Sequence, residues 1–268
     1  MKENKLKTII KSFLFITCYF LVFKGFAIII QNIMNSNGVE ARLVHYAIII
    51  SLLLIFIKIT KREHILKVDI NKIIKTFKVG GVPLIIYILF FVFAICDFDN
   101  SLGYNSPLYI VSWILIYLIG AGFVEELVAR GILIDIIKKY YNPNSKKNIN
   151  MCCIISATLF GLTHLINYFS KGYIPIGQIL QTIGMGLYLS AVYMRTKSLY
   201  GVALIHGLWD IFASLDEIIF ISEKLESTIP SIQSQMLFGI LFMIPGVIIF
   251  IILLRKNKIE ECYENSSV

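Results

Sequence analysis

This sequence has few charged residues and no regular cysteine pattern, and both shortages restrict what it can be. Charged residues make up only 16% of its 268 positions, whereas hydrophobic residues make up 57%. The five cysteines form no CxxC pair and have no regular spacing, so neither a disulfide framework nor a cysteine zinc site is indicated. With a mean hydropathy of +0.77, the composition excludes an ordinary soluble domain.

The apolar runs also lack the strict alternation of apolar and polar residues that marks membrane barrel strands. Several runs are long enough to cross a hydrocarbon core roughly 30 Å thick. The sequence therefore predicts an all-α fold, a polytopic transmembrane helical bundle in contact with the lipid bilayer. We expect eight spans, at 9–31, 43–60, 79–96, 107–137, 150–169, 175–194, 199–221 and 235–254.

Lysine and arginine are concentrated in every second loop of this arrangement. Because cytoplasmic loops carry the excess of basic residues, the pattern predicts that both termini are cytoplasmic and that the protein is a multi-pass cell-membrane protein. The net charge of +8 does not indicate a nucleic-acid partner, since the basic residues lie in short loops as topology signals do. The basic stretches are the N-terminus, 58–78, 138–149, 195–197 and the C-terminal tail.

The stretch at 120–131, GAGFVEELVARG, places three charges next to a long apolar run. Charges at membrane depth are costly, so an ionisable cluster there is by default a candidate functional site. On an α-helix, Glu126 and Arg130 are about one turn apart and can form an ion pair. Glu125 points about 100° away from Glu126, so it is the carboxylate available for chemistry.

Two histidines lie inside later apolar segments. His164 follows CCIISATLFGLT, and His206 has Asp210 four residues further on, where it could hydrogen-bond the imidazole and fix its tautomer. Counted along their helices at 1.5 Å per residue, Glu125, His164 and His206 fall in the cytoplasmic half or middle of the membrane. Glycines around these segments predict close helix packing: Gly120, Gly122, Gly161, Gly184, Gly186, Gly201 and Gly207.

Three short motifs now stand in order on successive predicted helices. They are Glu-Glu-x-x-x-Arg at 125–130, Phe-x-x-x-His at 160–164 and His-x-x-x-Asp at 206–210. In this order they resemble the motifs of the type II CAAX prenyl protease family, which also includes bacteriocin-immunity and lysostaphin-resistance proteins. The resemblance covers a catalytic core at 107–213, which follows N-terminal spans at 1–106 and precedes a last span with a cytoplasmic tail at 214–268. Within the N-terminal part, apolar residues recur among the lysines of 58–78, so we expect this segment to form an amphipathic helix along the inner membrane interface, with a solvated basic loop as the alternative.

The resemblance implies a role for each matching residue. Glu125 corresponds to the glutamate that activates a water molecule, and His164 to the histidine that helps to position and deprotonate it. His206 and the residue at 210 correspond to the pair that stabilises the oxyanion, and Glu126 and Arg130 to the ion pair that shapes the site. Some members have asparagine where this chain has Asp210. A carboxylate cannot donate to an oxyanion unless it is protonated, so the oxyanion role rests more on His206.

Metal dependence stays open at this point. Glu125, His164, His206 and Asp210 are also side chains that could ligate Zn²⁺ with water in an open position. The sequence contains no HExxH, no Gly-x-Ser on a span backed by a histidine and no Gly-x-Gly-Asp. Those absences count against site-2-type, rhomboid-like and presenilin-like proteases, and leave a glutamate-based peptidase.

The first functional hypothesis is therefore an intramembrane endopeptidase that hydrolyses a peptide or protein substrate near the cytosolic face. The resemblance suggests a role in bacteriocin self-immunity or peptide maturation. The lysine- and isoleucine-rich composition suggests a bacterium with an AT-rich genome, and such cells generally lack prenylated CAAX substrates. An alternative is a non-proteolytic immunity or scaffold protein that binds a toxin or partner. A transporter with a proton relay is a third, which the absence of evident inverted repeats disfavours.

Overall fold

The computed structural model describes residues 4–36, 38–95, 103–221 and 229–255, together with 258, 260 and 262. Helices dominate these residues, which contain no strands and only one isolated bridge, between Tyr104 and Phe220. The predicted all-α helical bundle is confirmed. The end of the predicted span 79–96, at residue 96, lies outside the described residues.

Eleven α-helices occur in the described part of the chain. Two π-helical segments separate α4 from α5, and 3₁₀ turns occur at Glu63–Leu66 and His164–Asn167. The α-helices are α1 Lys5–Met34, α2 Val39–Ile59, α3 Ile70–Ile95, α4 Pro107–Tyr117, α5 Ile134–Lys138, α6 Lys146–Thr163, α7 Tyr168–Lys171, α8 Ile176–Thr196, α9 Leu199–Ala213, α10 Leu215–Ile219 and α11 Ile232–Leu253.

Six helices of the described residues are long and apolar enough to cross a membrane. They are Lys5–Met34, Val39–Ile59, Ile70–Phe93, Pro107–Lys138, Lys146–Asn167 and Ile232–Leu253. The predicted spans 175–194 and 199–221 correspond to α8 and α9, of which α9 is shorter than the other spans. The protein is therefore a multi-pass membrane protein, and the count of eight spans stays a prediction.

The basic segment 58–78 differs from its prediction. We expected one amphipathic helix along the membrane interface, but α2 ends at Ile59, where Lys61 takes a left-handed conformation with φ of 54°. A new helix then starts at Ile70, because the Asp69 carboxylate accepts hydrogen bonds from the backbone N–H groups of residues 71 and 72. The second half of this segment is therefore the first part of α3.

Serine residues fix the start of four helices. A serine oxygen just before the helix accepts a hydrogen bond from a backbone N–H that has no partner within the helix. In α4 the serine is followed by Pro107, whose missing N–H costs nothing at the first helical position. The capping serines are Ser106 for α4, Ser145 for α6, Ser198 for α9 and Ser231 for α11.

The described residues fall into two compact units. The first comprises 1–22, 128–197 and 228–268, and the second comprises 23–127 and 198–227. In the second unit, α9 packs on α3, where the Tyr87 ring stacks on Trp209 with centroids 3.6 Å apart. The opposite contact of α9 is with the π-helical segment after α4, so α9 is held from both sides.

In the first unit, α8 packs between α6 and α11. Gly177 contacts Gly239, and seven residues further along both helices Gly184 contacts Gly246. This constant register means that α8 and α11 run in parallel at close approach, as small residues permit.

Candidate active site

The two adjacent glutamates lie on an unusual stretch of helix. Leu118–Glu125 and Leu127–Leu133 are π-helical, with hydrogen bonds between residues five apart rather than four. Such segments are rare and frequently occur at functional sites. The predicted pairing of Glu126 with Arg130 was based on α-helical spacing and stays a prediction.

His206 is held by Glu126 inside the second unit. Nδ1 of His206 lies 2.7 Å from Oε1 of Glu126, and the side chains are 6% and 0% exposed. A carboxylate accepts but does not donate hydrogen bonds, so the proton of this contact sits on Nδ1. The hydrogen bond fixes the ring orientation and leaves Nε2 as the nitrogen that faces the rest of the site.

Two further carboxylates flank Nε2 of His206. Oε2 of Glu125 lies 4.0 Å away and Oδ2 of Asp210 lies 3.8 Å away, both beyond direct hydrogen-bond distance. We expected Asp210 to hydrogen-bond the imidazole, but Glu126 does so instead. One turn of helix brings Asp210 near the ring, yet the carboxylate in contact comes from the π-helical segment.

Exposure separates the carboxylates. The side chains of Glu125 and Asp210 are 34% and 31% exposed, whereas Glu126 is fully buried. Glu125 and Asp210 are therefore accessible from outside the protein, while Glu126 is closed to solvent and contacts Nδ1 of His206. Three carboxylates around one imidazole also compensate the positive charge that the ring carries when it holds a second proton.

Glycines let α9 approach the π-helical segment closely enough for this contact. A Cβ on Gly122 would lie 2.6 Å from the carbonyl oxygen of Ala203 and 3.3 Å from Cα of Gly207. A Cβ on Gly207 would in turn lie 3.1 Å from Cα of Leu118. The close packing predicted from these glycines is confirmed, and it brings His206 to Glu126.

Tyr46 is a neighbour of the site that sequence reasoning missed. Its ring lies on Gly120, where an added Cβ would be 2.3 Å from the Tyr46 ring carbon Cζ. Gly120 and Glu125 are five residues apart, one hydrogen-bonded step of a π-helix. The charges of Glu125 and Asp210 act on the Tyr46 phenol. The glycine at 120 was the available signal, but it could not show that α2 supplies the packing partner.

His164 belongs to the first unit and ends α6. A 3₁₀ turn starts at His164, its Nδ1 lies 3.4 Å from Oγ1 of Thr163, and its ring stands edge-on against Phe160 with centroids 5.5 Å apart. The phenylalanine of the Phe-x-x-x-His motif thus holds the imidazole ring. The assignment of His164 as the partner of Glu125 stays a prediction.

Arg130 is almost completely buried in the first unit, at 1% exposure. Its guanidinium donates a hydrogen bond to the carbonyl oxygen of Gly186 at 3.0 Å and lies over the Phe160 ring, 5.3 Å from its centroid. Gly186 is tightly packed, because a Cβ there would lie 3.0 Å from Cβ of Ala157. Arg130 therefore ties its own helix to α6 and α8.

A zinc site needs several ligands gathered around one point. Within 4–36, 38–95, 103–221 and 229–255, no group of three or more histidine, cysteine, aspartate or glutamate side chains is arranged to hold a metal ion. Around Nε2 of His206, the carboxylate oxygens of Glu125 and Asp210 are nearly 4 Å away.

Comparison with known proteins gives one finding. Residues 107–212 match the family model described as type II CAAX prenyl endopeptidase, Rce1-like. No curated protein and no solved structure matches the chain. The matched range contains every residue singled out from the sequence, namely Glu125, Glu126, Arg130, His164, His206 and Asp210.

Proposed function

Because residues 107–212 belong to the type II CAAX prenyl endopeptidase family, a family of membrane proteases, we propose that this protein is a glutamate-dependent intramembrane endopeptidase. The supporting observation is that two glutamates with different exposure lie at the two nitrogens of the His206 ring. A buried glutamate, Glu126, orients the ring, and an accessible glutamate, Glu125, faces the opposite nitrogen. That arrangement supplies a positioned base and a positioned donor in one cluster.

Glu125 is the proposed general base. Its carboxylate takes a proton from a water molecule, and the resulting hydroxide oxygen forms a bond to the carbonyl carbon of the substrate peptide. When the tetrahedral intermediate collapses, the C–N bond breaks and Glu125 returns the proton to the leaving amine. A base of this kind typically contributes about 10²–10⁴ to the rate.

His206 is the proposed donor to the oxyanion. With Nδ1–H bound to Glu126, a second ring proton on Nε2 points to the side where Glu125 and Asp210 lie. A preorganised donor stabilises the charge that develops on the carbonyl oxygen and costs no rearrangement during the reaction. Glu126 is then a positioning residue, and His164 enters the proposal only through the family resemblance.

The proposed substrate is a peptide or protein segment cleaved near the cytosolic face of a bacterial plasma membrane. The apolar spans and the basic loops support this location. We propose that the reaction serves bacteriocin self-immunity or peptide maturation, as the resemblance to immunity proteins suggests. A non-proteolytic protein that binds a toxin through the same cluster is the competing function.

Exchange of Glu125 for glutamine tests the proposal. The membrane peptides of cells that express the wild-type protein are compared by mass spectrometry with those of cells that express Glu125→Gln. We expect one or more peptides to persist uncut in the variant, while the protein inserts normally. Glu63→Gln is the matched control, because it removes the same charge from an exposed glutamate outside the site.

Two results would oppose the proposal. Identical peptide profiles for wild type and Glu125→Gln would show that no cleavage depends on this carboxylate. Full protection by Glu125→Gln against a toxin would instead favour the binding function, in which the protein needs its shape but no general base.

A further inference from the structure

Described residues of the first unit line a cavity. It has a volume of about 580 Å³, within the first unit, where α8 and α11 begin. Its size falls in the range of sites that hold small ligands. The residues that line it include one cation, three amides, a hydroxyl and a phenol: Lys171, Gln178, Gln181, Gln235, Ser234 and Tyr173.

The hydrogen bonds at the cavity wall orient its donors. Oε1 of Gln178 accepts from Nζ of Lys171 at 3.2 Å and from Nδ2 of Asn167 at 3.0 Å. Its carbonyl end is therefore engaged on the loop side, and its NH₂ group lies at the other end of the amide. The Lys171 ammonium has three hydrogens and donates one of them to Oε1 of Gln178. Lys171 and Gln178 thus offer N–H donors to a ligand.

The charge of the wall selects the sign of the ligand. Among the described residues that line the cavity there is no aspartate or glutamate, and Lys171 is the one that carries a charge. A cation would meet the ammonium with nothing to compensate it, whereas a phosphate oxygen would gain a charge-assisted hydrogen bond. Gln181 and Gln235 add amide groups that can bind neighbouring hydroxyls.

The membrane supplies a ligand of this chemistry at this depth. The cavity lies at the beginning of the candidate span Ile232–Leu253, and a span begins and ends in the headgroup region of the bilayer. Beyond it along α11, Leu237 and Leu241 are 72% and 63% exposed, so an acyl chain can lie against this face. Loop charge predicts that this end faces away from the cytoplasm, because Lys171 is the lone charge of its loop.

We propose that the cavity between the starting ends of α8 and α11 binds a glycerol phosphate headgroup. The ammonium of Lys171 and the amide of Gln178 hold the phosphate, and the other amides bind the glycerol hydroxyls. The headgroup seals the end of the α8–α11 contact, where Gly177 meets Gln235. This site is independent of the proposed peptidase function.

Native mass spectrometry of the purified full-length protein tests the site. Phosphatidylglycerol and phosphatidylcholine with identical acyl chains are titrated separately, and glycerol 3-phosphate is added as a soluble probe. We expect phosphatidylglycerol to bind at least about tenfold more tightly than phosphatidylcholine. Both lipids carry the phosphate, but choline has no hydroxyls for the amides to bind and places a cation near Lys171. Equal affinity for the two lipids would overturn the proposal.

Three variants locate the effect. Lys171→Ala removes the cation, and Gln178→Glu keeps the acceptor for Lys171 but adds a negative charge; each should weaken phosphatidylglycerol binding about tenfold. Lys146→Ala is the control, since it removes an exposed charge from the same unit. An equal loss in Lys146→Ala, or no loss in Gln178→Glu, would contradict the site. Thermal midpoints establish whether each variant is folded. If Lys171→Ala does not fold, the result for Gln178→Glu tests the site.

The soluble probe distinguishes the source of the ligand. Displacement of phosphatidylglycerol by glycerol 3-phosphate at similar concentration, with the same sensitivity to Lys171→Ala, supports the glycerol phosphate chemistry and assigns a free metabolite as the ligand. Retention of the lipid at a large excess of glycerol 3-phosphate supports the same chemistry and assigns a membrane lipid.

Discussion

Nδ1 of His206 lies 2.7 Å from Oε1 of Glu126, and the two residues are 80 positions apart in the chain. Because of this contact, the two adjacent glutamates have different roles in the site. Glu126 is buried and holds the ring, while Glu125 is accessible and faces the other ring nitrogen. The site therefore depends on tertiary packing between α9 and the π-helical segment.

A double-mutant cycle measures this contact. Glu126→Gln and His206→Gln should each lower the thermal midpoint, because a buried polar partner loses its charged hydrogen bond at a cost of about 1–3 kcal/mol. The double variant should be little less stable than the worse single variant, with a coupling of about 0.5–3 kcal/mol. Additive losses would show that the two residues do not act together. Glu63→Gln serves as the control.

Asp210→Asn tests what the site needs at position 210. An amide can donate to an oxyanion and an ionised carboxylate cannot. We expect Asp210→Asn to retain cleavage within about tenfold of wild type, and Asp210→Leu to lose about 10²–10³. Cleavage rates of the peptide found with Glu125→Gln provide the measurement. An Asp210→Asn variant as inactive as Glu125→Gln would mean that the negative charge itself is required.

Gly122→Ala should separate α9 from the π-helical segment. The new Cβ would meet the backbone oxygen of Ala203, and backbone yields less readily than a flexible side chain. We expect a loss of about 1–3 kcal/mol in stability and a larger fall in activity, since His206 moves with α9. Gly81→Ala is the matched control, because a Cβ there has no neighbour within 4 Å. It should be neutral or stabilising by up to about 1 kcal/mol.

Lys197 gives a pH-dependent prediction. Burial, with a smaller effect of Lys138, lowers the pKa of the Lys197 amine from 10.5 to about 8. Between these values the unfolded chain binds the proton and the folded chain does not, so stability from this group rises with pH. Its destabilising effect is full below pH 8 and is gone above pH 10.5. The thermal midpoint of Lys197→Met should exceed that of wild type by about 2–5 °C at pH 7, and this difference should vanish as the pH rises to 10.5.

The backbone at Lys197 separates charge from conformation. Lys197 ends α8 with φ of 51° and ψ of 33°, a left-handed conformation that glycine adopts without strain. Lys197→Gly should therefore gain stability beyond Lys197→Met, by roughly 1 kcal/mol. Lys146→Met, an exposed lysine of the same unit, should show no pH-dependent difference from wild type.

The order of the helices and motifs could be predicted from the sequence because those signals are local. Hydrophobic runs and capping residues such as Ser106 and Pro107 mark where a helix begins, and the motif residues lie on those runs. The prediction of one amphipathic helix over 58–78 was wrong because the apolar residues recur with helical spacing on both sides of the turn between α2 and α3. Asp69, which caps the start of α3, is a single-residue signal. The longer hydrophobic pattern was given more weight than this residue.

The details of the site could not be predicted in the same way. Spacing of four residues assumes an α-helix, and nothing in GAGFVEELVARG shows that the backbone winds as a π-helix. Sequence spacing predicts Asp210, one helical turn away, as the partner of His206. It cannot predict a contact with a residue 80 positions away, such as Glu126. Tyr46 likewise lies outside the matched family range and meets Gly120 only through folding.

The parallel contact of α8 and α11 has a consequence for biosynthesis. Gly177 and Gly184 face residues that the ribosome adds about sixty positions later. Until α11 has been translated and inserted, this side of α8 must be covered by lipid or by an insertion chaperone. Truncation of the protein before α11 would leave a newly made membrane chain with an open flank, a state that quality-control proteases recognise and remove.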